Sequence, residues 1–247
     1  MTESAGSTDS TDQPSSADQL EHAKAAKAYE SPRYRYLVLG ILTATYVSNF
    51  VDRQVINVLA SYIIEDLQIS DGQFGMLSGL AFACIYTTLG IPIARWADIG
   101  NRRNIIAISV GVWSIMTAAC GAAQNFTQLF LARFEVGTGE AGGSPPAHSI
   151  VSDIFPAAQR ATALSVYSLG VYGGILVGTI GGAYLVRFFD WRTAFVVVAI
   201  PGIFLALLVR FVVKEPPRGL AEKRSDMAPP GFFKVMGFLW ERKSFRH

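Results

Sequence analysis

Charge is what this sequence has least of. Asp, Glu, Lys and Arg make up 16% of its 247 residues, and 51% are hydrophobic, whereas soluble domains carry about 25% charged residues. The net charge of +2 is spread over many segments with no basic stripe, so no nucleic-acid partner is expected. Cysteine is nearly absent. Cys84 and Cys120 are the only two, both inside apolar runs, which excludes a disulfide framework and leaves two small thiols packed among helices. No Gly-Lys-Ser/Thr phosphate loop is present, so ATP is not the direct energy source. A Gly-x-Ser-x-Gly elbow is missing too, and Ser144 and His148 stand one turn apart on a single segment, which argues against an intramembrane hydrolase. No enzymatic activity, metal or cofactor is expected. The first 30 residues are rich in Ser, Thr, Asp and Gln without an apolar core; they are not a signal peptide, and insertion falls to the first apolar run.

What is present is a series of long apolar stretches, near 36–62, 73–94, 104–123, 128–151, 161–185 and 192–213. Each suffices to cross a hydrocarbon core of ~30 Å. The connectors are too short for a soluble catalytic domain. The expected organisation is a disordered tail over 1–32, a six-helix transmembrane domain over 33–215, and a linker with an amphipathic helix over 216–247. In that linker 227–231 reads as a flexible joint and 232–240 as a surface helix; the chain then stops at His247 in the manner of a truncation. Lys and Arg are asymmetric. Lys24, Lys27, Arg33, Arg35, Arg95, Arg102, Arg103, Arg160, Arg210 and Lys214 fall on one side, and Arg187 and Arg192 on the other. The positive-inside rule then puts both termini in the cytoplasm of a multi-pass protein in the plasma or inner membrane.

Within these runs sit charges. Asp52-Arg53 lies in the first, and Arg133, Glu135 and Glu140 in the fourth. A charge at a helix centre costs ~2.5–3.5 kcal/mol on insertion scales and persists where it faces a protein interior or a wet cavity. Arg133, Gly137 and Glu140 share a helical face by their i, i+4, i+7 spacing; Glu135 points elsewhere. Arg53, Arg133 and Glu140 are candidates for holding a substrate, the arginines through two-bond contacts to an anionic group. Asp52 and Glu140 are candidate proton carriers, since burial and neighbouring arginines pull a carboxylate's pKa in opposite directions. The competing reading is structural: Asp52 and Arg133 pair to hold the first and fourth helices together. His148 either relays protons or bonds a nearby carbonyl, and Pro145-Pro146 should kink its helix. In the fifth run, Gly170, Gly174, Gly178 and Gly182 recur every four residues, and Gly75, Gly79 and Ala83 form a shorter groove in the second. Both are helix-packing surfaces, facing either a partner outside these six helices or a tightly packed neighbour within them.

Several of these segments carry a family resemblance. Ala94-Arg95-Trp96-Ala97-Asp98-Ile99-Gly100-Asn101-Arg102-Arg103 resembles the signature loop of the major facilitator superfamily, with Ala94, Ile99 and Asn101 as departures. Arg133 to Ala141 is similar to that family's fourth-helix motif, and Asp190-Trp191-Arg192-Thr193-Ala194-Phe195 to the start of its sixth helix. Asp52-Arg53 with Gly139-Glu140-Ala141 resembles the spinster-like branch, whose animal members export sphingosine-1-phosphate and lysophospholipids. The family's antiporter signature has a Pro where Thr179 stands.

The resemblance implies an all-α membrane fold of six helices in a 3+3 inverted repeat, one half of a twelve-helix transporter whose carboxy-terminal half is the missing partner. It implies a cytoplasmic gate tied by Asp98, Arg102 and Arg103, and the grooves of helices two and five at the seam between halves. The expected function is secondary, proton-coupled transport of an amphiphilic anionic lipid by alternating access. The partners are then that substrate, protons and the lipid bilayer. A facilitator for a sugar, drug or organic anion, or a homodimeric membrane scaffold built on the helix-five glycines, are the alternatives.

Overall fold

The structure is a computed structural model that describes residues 16–222 together with Phe238 and Trp240. The expected flexible joint and, apart from those two residues, the expected surface helix lie outside the described residues, as does the tail before Ser16.

The tail expected to be unstructured is helical in its second half. Helix α1 spans Ser16–Glu30. Its Ala, Lys, Glu and Gln are strong helix formers, and it docks through Ala25 and Tyr29, both buried. The Tyr29 hydroxyl donates to the Lys214 carbonyl at 2.6 Å, and its burial raises the hydroxyl's pKa, with Tyr34 adding to the effect. Pro32 then opens α2, Pro32–Val58, where a missing backbone donor costs nothing.

The first expected span is two helices. α2 ends at Leu59 and the chain continues as α3, Ala60–Leu67, closed by Gln68 at φ 50. The second span is composite. Ser70 and Gln73 form a capping box ahead of α4, Asp71–Gly75, which passes through a π-helical turn, Met76–Leu80, into α5, Ala81–Ile99. α6, Arg102–Gly121, is capped by Asn101, whose side chain accepts from the Asn104 amide at 2.9 Å.

The fourth span is broken. α7, Phe126–Ala141, stops at Gly142-Gly143, and α8, Ser144–Ile154, restarts with Pro145 and Pro146 in its first turn. Prolines there lack donors that the first turn does not use, so a kink becomes a helix break. α9 runs Ala157–Phe188 and α10 Trp191–Phe211, the latter capped by Asp190 accepting from the Thr193 amide at 3.0 Å.

Among the described residues, four segments are long and apolar enough to cross a membrane: α4–α5, α6, α9 and α10. The other two crossings, α2 and α7–α8, carry the buried charges. α6 lies at the centre, 56% of its apolar window buried, whereas only 6% of the α4–α5 window is. Trp113, Ile106 and Val110 of α6 pack with Val38, Leu42 and Ile56 of α2 and with Phe195 and Val209 of α10 in one core.

The glycine stripe has its partner inside the chain, which corrects the expectation that it faces outward. Gly170, Gly174, Gly178 and Gly182 are buried against α2. A Cβ at Gly174 would stand 2.5 Å from the Phe50 Cβ and 2.6 Å from the Val47 carbonyl, and one at Gly178 would stand 2.8 Å from the Gln54 Cβ. Spacing announces close approach without naming the neighbour, and α2 fills the groove. Gly75 and Gly79 have nothing within 4 Å, so the shorter groove is open.

Candidate functional site

Four charges converge where α2 meets α7. Asp52 and Arg53 come from consecutive positions of α2, so they diverge by about 100° around the helix. Asp52 turns inward and is 1% exposed; Arg133 and Glu140 of α7 are 3% and 1% exposed. Arg53 reaches across and its Nε donates to Glu140 Oε2 at 2.6 Å. Its guanidinium also sits 4.8 Å from the Phe82 and Tyr86 ring centres and 5.1 Å from that of Phe50. Phe82 serves both arginines, lying 5.6 Å from the Arg133 guanidinium. Gly137 makes room for it: a Cβ there would meet the Phe82 ring at 3.2 Å.

Arg53, Arg133, Asp52 and Glu140 sum to no net charge, yet their hydrogen bonding is incomplete. Asp52 Oδ1, Glu140 Oε1 and the Nε and Nη1 of Arg133 are buried without a partner. Arg133 is a charge neighbour of both carboxylates, but no ion pair joins it to Asp52; the pair that forms is Arg53 with Glu140. The simple clamp between Asp52 and Arg133 is therefore replaced by a crossed arrangement. Buried donors and acceptors without partners are costly, ~1–3 kcal/mol each, so the site holds unspent capacity to bind an ion, a polar headgroup or a proton. Glu135 is exposed, on the opposite face. Among the described residues no group of three His, Cys, Asp or Glu side chains is placed to hold a metal ion.

Next to Glu140 is a small cavity of about 10 Å³ whose walls mix apolar side chains, Leu42, Ile106 and Trp113 among them, with the polar groups of Thr45, Tyr46, Asn49, Ser144 and Tyr167. His148 is exposed, its Nδ1 2.8 Å from the Ser144 carbonyl and its ring edge-on to Tyr167 at 4.9 Å.

At the arginine-rich end the residues expected to form a gate make a different set of contacts. Asp98 is exposed on the last turns of α5 and takes no part in holding Arg102. Arg102, 1% exposed, is instead met by Asp153 of α8, by Glu215 at 2.8 Å, by the Ser149 hydroxyl at 2.8 Å and by the Pro216 carbonyl at 2.7 Å. The Arg103 amide donates to the second oxygen of Glu215 at 2.8 Å. Arg218 donates to the carbonyls of Ala97 and Gly100 at 3.0 and 3.1 Å, and the Gly219 amide to Asp153 at 3.1 Å. The strap 215–219 thus supplies what Asp98, facing outward, does not. At the other end Arg192 donates to Asp66 at 2.6 Å and to the Ala123 carbonyl at 3.1 Å.

The sequence profile of the Major Facilitator Superfamily matches residues 42–246. This chain belongs to the Major Facilitator Superfamily. Within it the likeness is to spinster proteins. The chain is 33% identical over 232 residues to protein spinster homolog 1 of Xenopus tropicalis, covering 91% of this chain and 44% of that one. An MFS-type efflux pump of Mycolicibacterium smegmatis is 35% identical over 200 residues, 81% of this chain and 46% of that one. The crystal structure of a bacterial homologue of the human lysosomal transporter Spinster, inward-facing and occupied, superposes with a TM-score of 0.69 at 42% identity, over 78% of this chain and 48% of that one. The chain spans about half the length of the relatives it matches, and its all-helical fold is that of half a facilitator-superfamily protein of the spinster-like kind.

The candidate site lies partly on residues read from sequence, Asp52, Arg53, Arg133 and Glu140. Phe50, Phe82 and Tyr86 escaped that reading because aromatics in membrane helices look like packing or lipid contacts. Asp153, Glu215 and Arg218 had one signal, charges next to helix ends and prolines.

Proposed function

We propose that the chain is the amino-terminal half of a proton-coupled secondary transporter that moves an amphiphilic anionic lipid, of the lysophospholipid or sphingosine-1-phosphate class, by alternating access. One observation carries the reading: Arg53 is held between a buried carboxylate, Glu140, and three aromatic rings. That setting suits a headgroup phosphate competing with Glu140 for the guanidinium while the rings and neighbouring aliphatics cover the start of a tail. When phosphate takes Arg53, Glu140 loses its counter-charge and takes up a proton, which couples the two movements. The open faces of α4–α5 and the outward face of α9, with Leu169, Tyr172, Leu176 and Ile180 exposed, are where a second half packs. The arginine-rich end is cytoplasmic in this reading.

The test is binding of a lysophospholipid to the intact transporter in detergent. Arg53→Ala and Arg133→Ala each weaken it by about 1.5–3 kcal/mol, the range for a hydrogen bond to a charged group, roughly 10- to 150-fold in Kd; Arg133→Lys recovers only part, for want of the planar fork. Lipid that fails to bind wild type, while a small organic anion or a drug binds and loses affinity in the same variants, moves the assignment to the other solute class, which the likeness to an efflux pump favours. A scaffold built on the α9 glycines is disfavoured, because α2 occupies that groove.

A further inference from the structure

We propose that Tyr46, Ser144, Tyr167 and His148 form a proton conduit joining the buried Glu140 carboxyl to the exposed side of α8. The inference rests on the reading above, in which Glu140 carries the coupled proton, and adds the route by which that proton comes and goes.

The route starts at an atom with nothing to bond. Glu140 Oε2 is taken by Arg53, while Oε1 is buried without a partner on a residue lining the cavity. At about 10 Å³ the cavity has room for a single water. Its walls offer a water polar partners: Glu140 at one end, Asn49 and Thr45 from α2, and Ser144 at the start of α8. Tyr46, Tyr167 and Ser144 all line the cavity, the Ser144 side chain lies near both phenols, and the two rings stack at 4.5 Å with an interplanar angle of 9°. Three hydroxyl-bearing side chains from three helices therefore border one cavity, each hydroxyl able to accept one proton and release another.

His148 closes the line. A carbonyl only accepts, so the 2.8 Å contact to Ser144 puts the hydrogen on Nδ1. That leaves Nε2 with a free lone pair. The ring is edge-on to Tyr167, and the residue is exposed while Glu140 is not. Ser144 and His148 stand one helical turn, ~5.4 Å, apart on α8, and Glu140 lies just across the Gly142-Gly143 break from Ser144. The charged and titratable groups around the line are Arg53 from α2 and Arg133 from α7 beside Glu140, Asp52 behind them, and Tyr86 of α5 beside both tyrosines. The cations sit at the Glu140 end; the His148 end is lined by hydroxyls and rings. Protons balance at every step. Glu140 gives one to the water, the water gives one of its own to the hydroxyl cluster, the cluster gives one to His148 Nε2, and the imidazolium gives one to solvent.

The experiment uses the intact transporter in liposomes and compares pH-gradient-driven uptake with substrate exchange at equal pH, which moves no net proton. The probe is a radiolabelled lysophospholipid or, should lipid not be carried, the solute identified by the binding assay. His148→Gln and Tyr167→Phe are expected to slow gradient-driven uptake about tenfold or more, the low end of what a positioned proton-transfer group contributes, with exchange unchanged. Added imidazole restores His148→Ala, which a packing role does not allow. Glu140→Gln calibrates the reading beneath: it loses the dependence of uptake on the pH gradient. Wild-type uptake in both His148→Gln and Tyr167→Phe, with Glu140→Gln uncoupled, overturns the conduit and leaves the reading standing. Full proton dependence in Glu140→Gln overturns both.

Discussion

Replacing Gly174 by Ala adds a single methyl group, and the structure says where it goes. It would stand 2.5 Å from the Phe50 Cβ and 2.6 Å from the Val47 carbonyl oxygen. Ordinary carbon contacts lie at about 3.5–4.0 Å, so α2 and α9 must part by roughly 1 Å. Neither neighbour is the far end of a flexible side chain, and the strain has no cheap outlet. Overpacking of this kind costs ~1–3 kcal/mol, against which the helix propensity of Ala over Gly returns about 0.8–1 kcal/mol. The net is a destabilisation of up to ~2 kcal/mol. Gly181→Ala is the control on the same helix. It has nothing within 4 Å, so only the propensity gain applies and the variant is as stable as wild type or slightly more so. The displaced residue, Phe50, is also one wall of the Arg53 cage, so Gly174→Ala weakens substrate binding as well as the fold. Reversible unfolding in mixed detergent micelles reads the first effect and ligand titration the second. Equal stability and equal affinity in the two alanine variants would show that α2 and α9 do not pack in this register.

Two further outcomes follow from the ends of the helices. Arg102→Ala leaves Asp153 and Glu215 without their shared cation and is expected to destabilise by ~3–5 kcal/mol, as for removing one member of a buried ion pair, whereas Asp98→Asn changes stability by less than ~0.5 kcal/mol, as for an exposed site; a reversed order in the unfolding assay contradicts the Arg102 contacts described here. Asp190→Ala is expected to cost about 1 kcal/mol through loss of the α10 cap. Hydrogen bonds from Thr193 hold the Asp190 carboxyl below the usual carboxylate range. Its contribution is therefore complete above the ordinary Asp pKa of about 3.9 and is lost as pH falls through the lower folded value. The gap between wild type and Asp190→Ala should be constant from neutral pH to about 5 and narrow only below about 3.9; a gap that shrinks between pH 7 and 5 contradicts this cap.

Much of the membrane architecture was legible because hydrocarbon imposes a blunt rule: long apolar runs, separated by arginines, become helices. The limits were local. A hydrophobic run has no mark for where it bends, so Leu59 and Gly142-Gly143 divided two expected spans. The first division falls in an ordinary apolar stretch; the second has its Gly-Gly-Ser-Pro-Pro sequence in plain view. The four site charges were legible because charges inside apolar runs are rare. Their pairing was not, since which arginine reaches which carboxylate depends on helix rotation and on Gly137 admitting Phe82. Asp98 was misplaced because a motif specifies residue types along a chain, while the direction its side chain takes is set by the turn of α5 on which it falls.

The strap 215–219 has a mechanical meaning. Glu215 and Pro216 grip Arg102 and Arg103, Arg218 grips the end of α5, and Gly219 is anchored to α8. The chain leaving α10 is stitched to three other helix ends before it departs. Tension applied beyond Gly219 is shared among these bonds and reaches α5, α6 and α8 together, so the tail and the arginine-rich loop move as one lever or the stitches part.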